Sequence, residues 1–242
     1  MTSRFILSLV CSLCLMGTAR AAVMANAEAD KAPVGSVLGG PHNPTFPSGG
    51  PSSTDLINGL LPSASAGNFT LESSTGVAAL TDGSVSTFYG DQTGASNHAA
   101  YATAGNAGGS GTSVDYALGG PHNLTEVVIY GGWNDGGRDQ QHYDVLTSTD
   151  GVAFAALGTI DVNPGVFMTD TTPISSRVSF TETTLANLAS GVTHIRVNFL
   201  AVENGYAGYT EVDVFGSRIP EPASVALAAA SLAGVLAVRR RK

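Results

Sequence analysis

Tyr209-Thr210-Glu211-Val212-Asp213-Val214-Phe215 decides the fold. Val212 and Val214 alternate with Glu211, Asp213 and Phe215, a mostly two-residue period that fits a half-buried strand. Working back from it, the chain holds further β-like runs at 68–73, 113–118, 124–133, 142–149, 152–161, 177–181 and 193–200, divided by glycine and Asp-Gly turns. Asp150-Gly151 between two such runs is a strong hairpin signal, because both residues tolerate the backbone a tight two-residue turn demands. Only 184–188 reads as helical, for barely more than a turn. Short strands at this spacing predict an all-β domain over 55–217, an antiparallel β-sandwich with a jelly-roll arrangement. Sparse charge and abundant glycine, alanine, serine and threonine point the same way.

Both flanks read as address labels. After the strand come Pro220-Glu221-Pro222, an uncharged run at 223–238, and Arg239-Arg240-Arg241-Lys242. The prolines stop any helix entering from upstream. The alanine-rich run can form an apolar helix of roughly 24 Å at about 1.5 Å per residue. That is short of the roughly 30 Å hydrocarbon core of a bilayer, so insertion is marginal, with the basic end held inside. Residues 218–242 thus form a unit of their own. At the other end, Arg4, an apolar stretch at 5–16 and Ala19-Arg20-Ala21 form a signal peptide. Ala25-Asn26-Ala27 is a rival cleavage site, and the signal is assigned 1–27. Cys11 and Cys14 both fall within it, so the mature chain has no disulfide to rely on.

Between signal and sandwich, 28–54 carries five prolines and few large apolar groups, which reads as a linker or loosely docked arm. It includes Leu38-Gly39-Gly40-Pro41-His42-Asn43, repeated letter for letter at 118–123. The identity extends no further, so a reused glycine-proline turn is the reading rather than a domain repeat. Removing Arg4, Arg20 and the four terminal cations leaves 5 of 11 basic groups against all 19 acidic ones, a net of −14. So acidic a body repels nucleic acid and anionic membrane. It suits soluble glycans, cations or a crowded extracellular matrix.

Three segments offer chemistry. In 80–89, Asp82 and Thr87 supply hard oxygens and Gly83 permits a tight turn, the ingredients of a calcium site; a simple Asp-Gly turn capped by its own aspartate fits equally. In 131–143, Trp133, Asn134, Arg138 and Tyr143 combine aromatic faces with planar polar groups, as a glycan site does. The plainer reading has Trp133 and Tyr143 closing the sandwich end while Arg138 pairs with Asp135, Asp139 or another acid. Trp133 directly follows a strand, which favours it. In the last strand region, Glu203, Asn204, Glu211 and Asp213 read as a solvated face, unless Glu211 reaches the Asp82 turn. The five histidines show no metal spacing, and neither a nucleophile elbow nor a phosphate loop is present, so a non-catalytic protein is expected, with a carboxylate pair for glycoside cleavage among the many acids as the alternative.

The tail resembles the PEP-CTERM sorting signal of Gram-negative bacteria, with Pro220, Glu221 and Pro222, the apolar run and the basic cluster in order. The resemblance implies an exported protein held transiently in the inner membrane, then cut and released or transferred by an exosortase-type enzyme. It also implies bacteria that make exopolysaccharide and biofilm matrix. The body, from 55 to 216, resembles the discoidin-like (F5/8 type C, galactose-binding-like) family. Asp82, Gly83, Thr87 and Tyr89, then Ser148, Asp150, Gly151 and Phe154, then the closing strand 211–216 follow its order. That resemblance implies a structural Ca2+ on Asp82, Thr87 and Glu211, and a ligand loop at 133–143 whose ligand it leaves open. The partner expected from the acidic body and the sorting tail together is extracellular polysaccharide.

Overall fold

A computed structural model describes residues 23–32, 42–87, 97–102, 111–133, 137–164, 173–183, 187–202 and 205–220. The architecture is all-β: β1 (Val23–Lys31), β2 (Ala64–Ala66), β3 (Ala100–Ala102), β4 (Ser113–Trp133), β5 (Gln141–Ser148), β6 (Ala155–Val162), β7 (Ile174–Glu182), β8 (Ala189–Phe199) and β9 (Ala207–Arg218). Every pairing between them is antiparallel.

β4 organises the sandwich, because its two halves belong to different layers. Ser113 to Ala117 pairs with β2 on one side and β8 on the other, and β5 and β6 continue that layer. Val127 to Trp133 lies between β7 and β9, with β1 beyond β7 and β3 beyond β9. The expected strands at 113–118 and 124–133 are therefore one bent strand. The bend is the second copy of the repeated hexapeptide. Gly119 and Gly120 sit at φ +70° and +149°, which an L-residue adopts only with strain, and Pro121 follows. Register with β8 shifts here, as a corner requires.

The main core fills the space between the layers. Val114 and Tyr116 from the first half of β4, Tyr143, Val145, Ile195, Val197 and Phe199 face Val127, Ile129, Val178, Phe180, Val212 and Val214. The valine face of the opening stretch points where its period requires. Phe46, Val85, Val128 and Tyr130 form a smaller cluster on the outer side of the β4–β9 layer, with Phe46 and Tyr130 rings 5.6 Å apart.

Two expectations are corrected. Of the segment at 28–54, read as a linker or loosely docked arm, the described parts are docked and not loose: β1, which begins at Val23 inside the stretch assigned to the signal, pairs along its whole length with β7, from Val23 opposite Glu182 to Lys31 opposite Ile174. The second half of that segment is held as well, since Glu28 accepts the Ser48 amide at 3.2 Å and Asp30 accepts the Thr45 amide at 2.7 Å. Backbone pairing at a solvent-facing edge needs few large side chains, so composition gave no sign of it. The run at 68–73 is a 3-10 turn at Leu71–Ser73 instead of a strand; Glu72 and Ser73 take φ of 51° and 58° there. Most of 184–188, and the apolar run at 223–238, lie outside the described residues. Among the described residues no helix is long and apolar enough to cross a membrane.

Candidate functional site

The two ends of the β4–β9 layer differ in chemistry. At the end where β4 finishes, Trp133 is buried and meets Tyr101 edge-on, ring centroids 5.3 Å apart. Tyr206 also packs on Tyr101, tilted, with ring centroids 4.7 Å apart. Arg138 covers the group, its guanidinium 5.4 Å from the Tyr101 centroid and 5.5 Å from that of Trp133. Cation–π attraction of this kind is strongest with the cation over the ring face. Arg138 also forms an ion pair with Glu72, which accepts the Tyr101 hydroxyl at 3.3 Å. Burial pushes the Tyr101 phenol up, and it stays neutral. The Arg138 backbone is at φ +71°, and its carbonyl accepts the Gly208 amide at 2.9 Å.

Trp133 and Arg138 therefore come together, as the sequence predicts, and the acid on Arg138 is Glu72. Tyr143 does not join them. It is fully buried in the main core, donating to Gln141 Oε1 at 2.8 Å and packing on Tyr209 and Phe180. Its place in β5, one of the inward positions, turns the ring away from the loop; its assignment as a ligand residue is corrected. Asn134 lies outside the described residues. Glu72, Tyr101 and Tyr206 complete the cluster and are missed by sequence reasoning, since each stands alone in a small or polar stretch.

The second constellation lies on the outer face of β9. Glu211 and Asp213 are two apart and so share a face, opposite Val212 and Val214. They are buried under the segment at 46–60 and the Asp82 turn, so for these two the expectation of a solvated face is corrected; Glu203 and Asn204 lie outside the described residues. The Gly83 amide donates to Glu211 Oε2 at 2.9 Å, so Glu211 does reach the Asp82 turn. The Ser52 amide donates to Asp213 Oδ2 at 2.9 Å, and Asp55 Oδ1 accepts the amides of Ile57 and Val214 at 2.9 and 3.2 Å. The remaining oxygens, Glu211 Oε1, Asp213 Oδ1 and Asp55 Oδ2, are buried without a partner among the described residues, as is Thr87 Oγ1. Burial, then repulsion from Asp213, Asp82 and Asp55, pushes Glu211 up to about 9. Burial, then Asp55, raises Asp213 to about 7, with Arg177 opposing.

Of the three expected metal ligands, Glu211 and Thr87 present orphaned hard oxygens. Asp82 instead faces His98, whose Nε2 is 3.0 Å from its Oδ2. Burial works against the charged imidazole, but the Asp82 bond and charge raise its pKa overall. No group of three acidic, histidine or cysteine side chains closes on one point among the described residues. A cation here would take further oxygens from backbone carbonyls, as calcium commonly does.

The opposite end of the layer is where β9 stops. Ile219 donates to the Pro121 carbonyl at 2.8 Å, and Pro220 follows at once. Residues 218–242 match the family model for the PEP-CTERM protein-sorting motif. The chain carries a PEP-CTERM signal. It is accordingly an exported protein, with the PEP-CTERM signal joined directly to the last strand of its sandwich. No curated protein sequence matches the chain. Solved structures from Clostridium perfringens overlap part of the sandwich. One is a family 89 glycoside hydrolase in complex with 2-acetamido-1,2-dideoxynojirmycin, at TM-score 0.31 and 17% identity over 46% of this chain and 11% of the hydrolase. A CBM32 module of that hydrolase, in complex with GalNAc-β-1,3-galactose, overlaps at TM-score 0.29 and 20% identity, over 43% of this chain and 64% of the module. CBM32-1 of a family 31 glycoside hydrolase overlaps at TM-score 0.29 and 10% identity, over 43% and 68%. This chain spans about a tenth of the family 89 hydrolase chain, and the ligands in those structures belong to those proteins.

Proposed function

We propose that this chain is a non-catalytic protein of the cell envelope surface or extracellular matrix, processed through its PEP-CTERM signal by an exosortase-type enzyme and associated with exopolysaccharide. The observation that carries this is the direct junction at Arg218–Pro220, where a folded sandwich strand passes into the sorting motif without a separate catalytic or linker segment. Fractionating cells that produce a tagged copy tests it. Processed protein outside the inner membrane is expected, and mature protein confined to the cytoplasm ends the reading. Replacing Pro220-Glu221-Pro222 should leave the chain unprocessed in the inner membrane. Chromogenic glycosides give a blank if the protein is not an enzyme.

The Trp133–Arg138 end supports a second, finer reading, a carbohydrate-binding module. The partly buried Tyr206, the Arg138 cation and the Glu72 carboxylate border that end, over the buried Tyr101 and Trp133 rings that support them, and an apolar sugar face and hydroxyls pair with such groups. A glycan array with Arg138→Ala and Glu72→Gln beside the wild type tests this; a blank across the array favours the structural role. We also propose a structural Ca2+ held by Glu211, Thr87 and the Asp82 turn. Its chemistry there is charge neutralisation: it would let Glu211 ionise while buried and tie β9 to the turn. Nucleic acid is no partner on this reading, given the net charge of the mature body.

A further inference from the structure

The sandwich has a polarity set by β9. The strand begins at the aromatic cluster: an added Cβ at Gly208 would lie 2.6 Å from Trp133 Cε3, and the Gly208 amide bonds to Arg138. It ends at the β4 corner, where Arg218 pairs with His122 and Ile219 bonds to Pro121. The eleven steps of about 3.3 Å between the first and last of its 12 residues separate these ends by roughly 36 Å. Only Ile219 stands between the strand and Pro220. The four residues from Ile219 to Pro222 span at most about 14 Å fully extended, so the corner end cannot stand far from whatever holds the apolar run.

An independent observation places the other terminus at the same end. Val127 pairs with Phe180 on one side and Val214 on the other, which sets those three level. Glu182 lies two residues beyond Phe180, toward Arg218, and Val23 pairs with Glu182. Lys31, at the far end of β1, pairs with Ile174 beside Trp133. The first described residue and the start of the sorting motif therefore leave the sandwich at the same end of the layer, with two strands between them, on the side away from the aromatic cluster.

We propose that, while the tail is inserted, the domain stands end-on to the membrane, with the Val23–Arg218 end kept nearest the bilayer by its short tether and the Arg138–Trp133–Tyr101–Tyr206 end held away from it by the length of the sandwich. This rests on reading 223–238 as a membrane-inserted segment. The two ends of β6 mark the two levels. Val152, 85% exposed, lies on the β5–β6 hairpin beside His194, whose neighbour Val192 pairs with His122 at the corner. Asn163, also exposed, follows Val162, which pairs with Gln141 at the aromatic end. Whatever binds the aromatic end is met on the side facing out from the cell membrane.

The test uses the full chain with Cys11→Ala and Cys14→Ala, produced in cells without the processing enzyme, and carrying either Val152→Cys or Asn163→Cys. The membrane-retained form is labelled with a fluorophore and reconstituted into vesicles bearing a nitroxide quencher on the lipid headgroup. Vesicle flotation should carry the protein, and the label at 152 should be quenched at least twofold more than the label at 163. Flotation with equal quenching, or with stronger quenching at 163, overturns the orientation and leaves the tail reading intact. Failure to float overturns both.

Discussion

The amide of Gly83 donates to Glu211 Oε2 at 2.9 Å, joining the first turn after Asp82 to the last strand of the domain. The other Glu211 oxygen is buried with no partner among the described residues. A buried carboxylate in that state either holds a proton or has a cation beside it. The two alternatives give different thermal behaviour. Calcium should raise the melting temperature of the wild type and chelator should lower it, whereas Glu211→Gln should show neither response. Melting curves unchanged by chelator remove the site.

The same carboxyls set the pH dependence of the chelated protein. Glu211 and Asp213 hold a proton more tightly folded than unfolded, so their contribution to stability is complete below their ordinary values of 4.5 and 3.8. It is lost as pH rises through about 7 for Asp213 and about 9 for Glu211. Urea midpoints in chelator should therefore fall between pH 5 and 9. Saturating calcium, by holding the charged form, should flatten that slope. A chelated protein that gains stability over this range contradicts the assignment.

Arg138 carries a positive φ on a residue with a side chain, a conformation costing roughly 1 kcal/mol that glycine avoids. Arg138→Gly and Arg138→Ala both remove the ion pair to Glu72 and the cover over Tyr101 and Trp133. The glycine variant should be the more stable of the two by about 1 kcal/mol in chemical denaturation. The ion pair itself is partly exposed, so Glu72→Gln should cost no more than about 1 kcal/mol. Tyr101→Ala, which empties the centre of the cluster, should cost about 3–5 kcal/mol.

β1 bears on where the leader is cut. Cleavage after Ala27 removes Val23 to Ala27, five of the nine residues paired with β7, including Val23, which packs against the main core. Cleavage after Ala21 leaves the strand whole. Intact-mass measurement of the exported protein should give an N-terminus at Ala22. A start at Glu28 would show that half of β1 is dispensable.

The main β pattern was legible because it rests on local alternation. Val212 and Val214 could be placed inward from seven residues, and Asp150-Gly151 announced its hairpin. Trp133 was legible as a strand-end residue turned inward, for the same reason. The misses have other causes. Glu211 and Asp213 alternate as a solvated face does, and their burial depends on a segment more than 150 residues away in sequence; the Ser52–Asp213 bond is such a contact. Glu72, Tyr101 and Tyr206 meet only through tertiary folding, and no spacing rule connects them. β1 has the composition of a loop because an edge strand draws its support from backbone hydrogen bonds.

The placement of β9 has a consequence for how the protein is made. β9 is the last strand before the sorting signal, yet it lies inside its layer, between β3 and β4, and β4 serves both layers. The core cannot close until this stretch has arrived, because the β4–β9 pairing forms only once β9 has been made. Through most of its synthesis the chain therefore lacks the strand that completes the sandwich. We expect it to cross the membrane unfolded and to close its core only once the strand next to Pro220 is through.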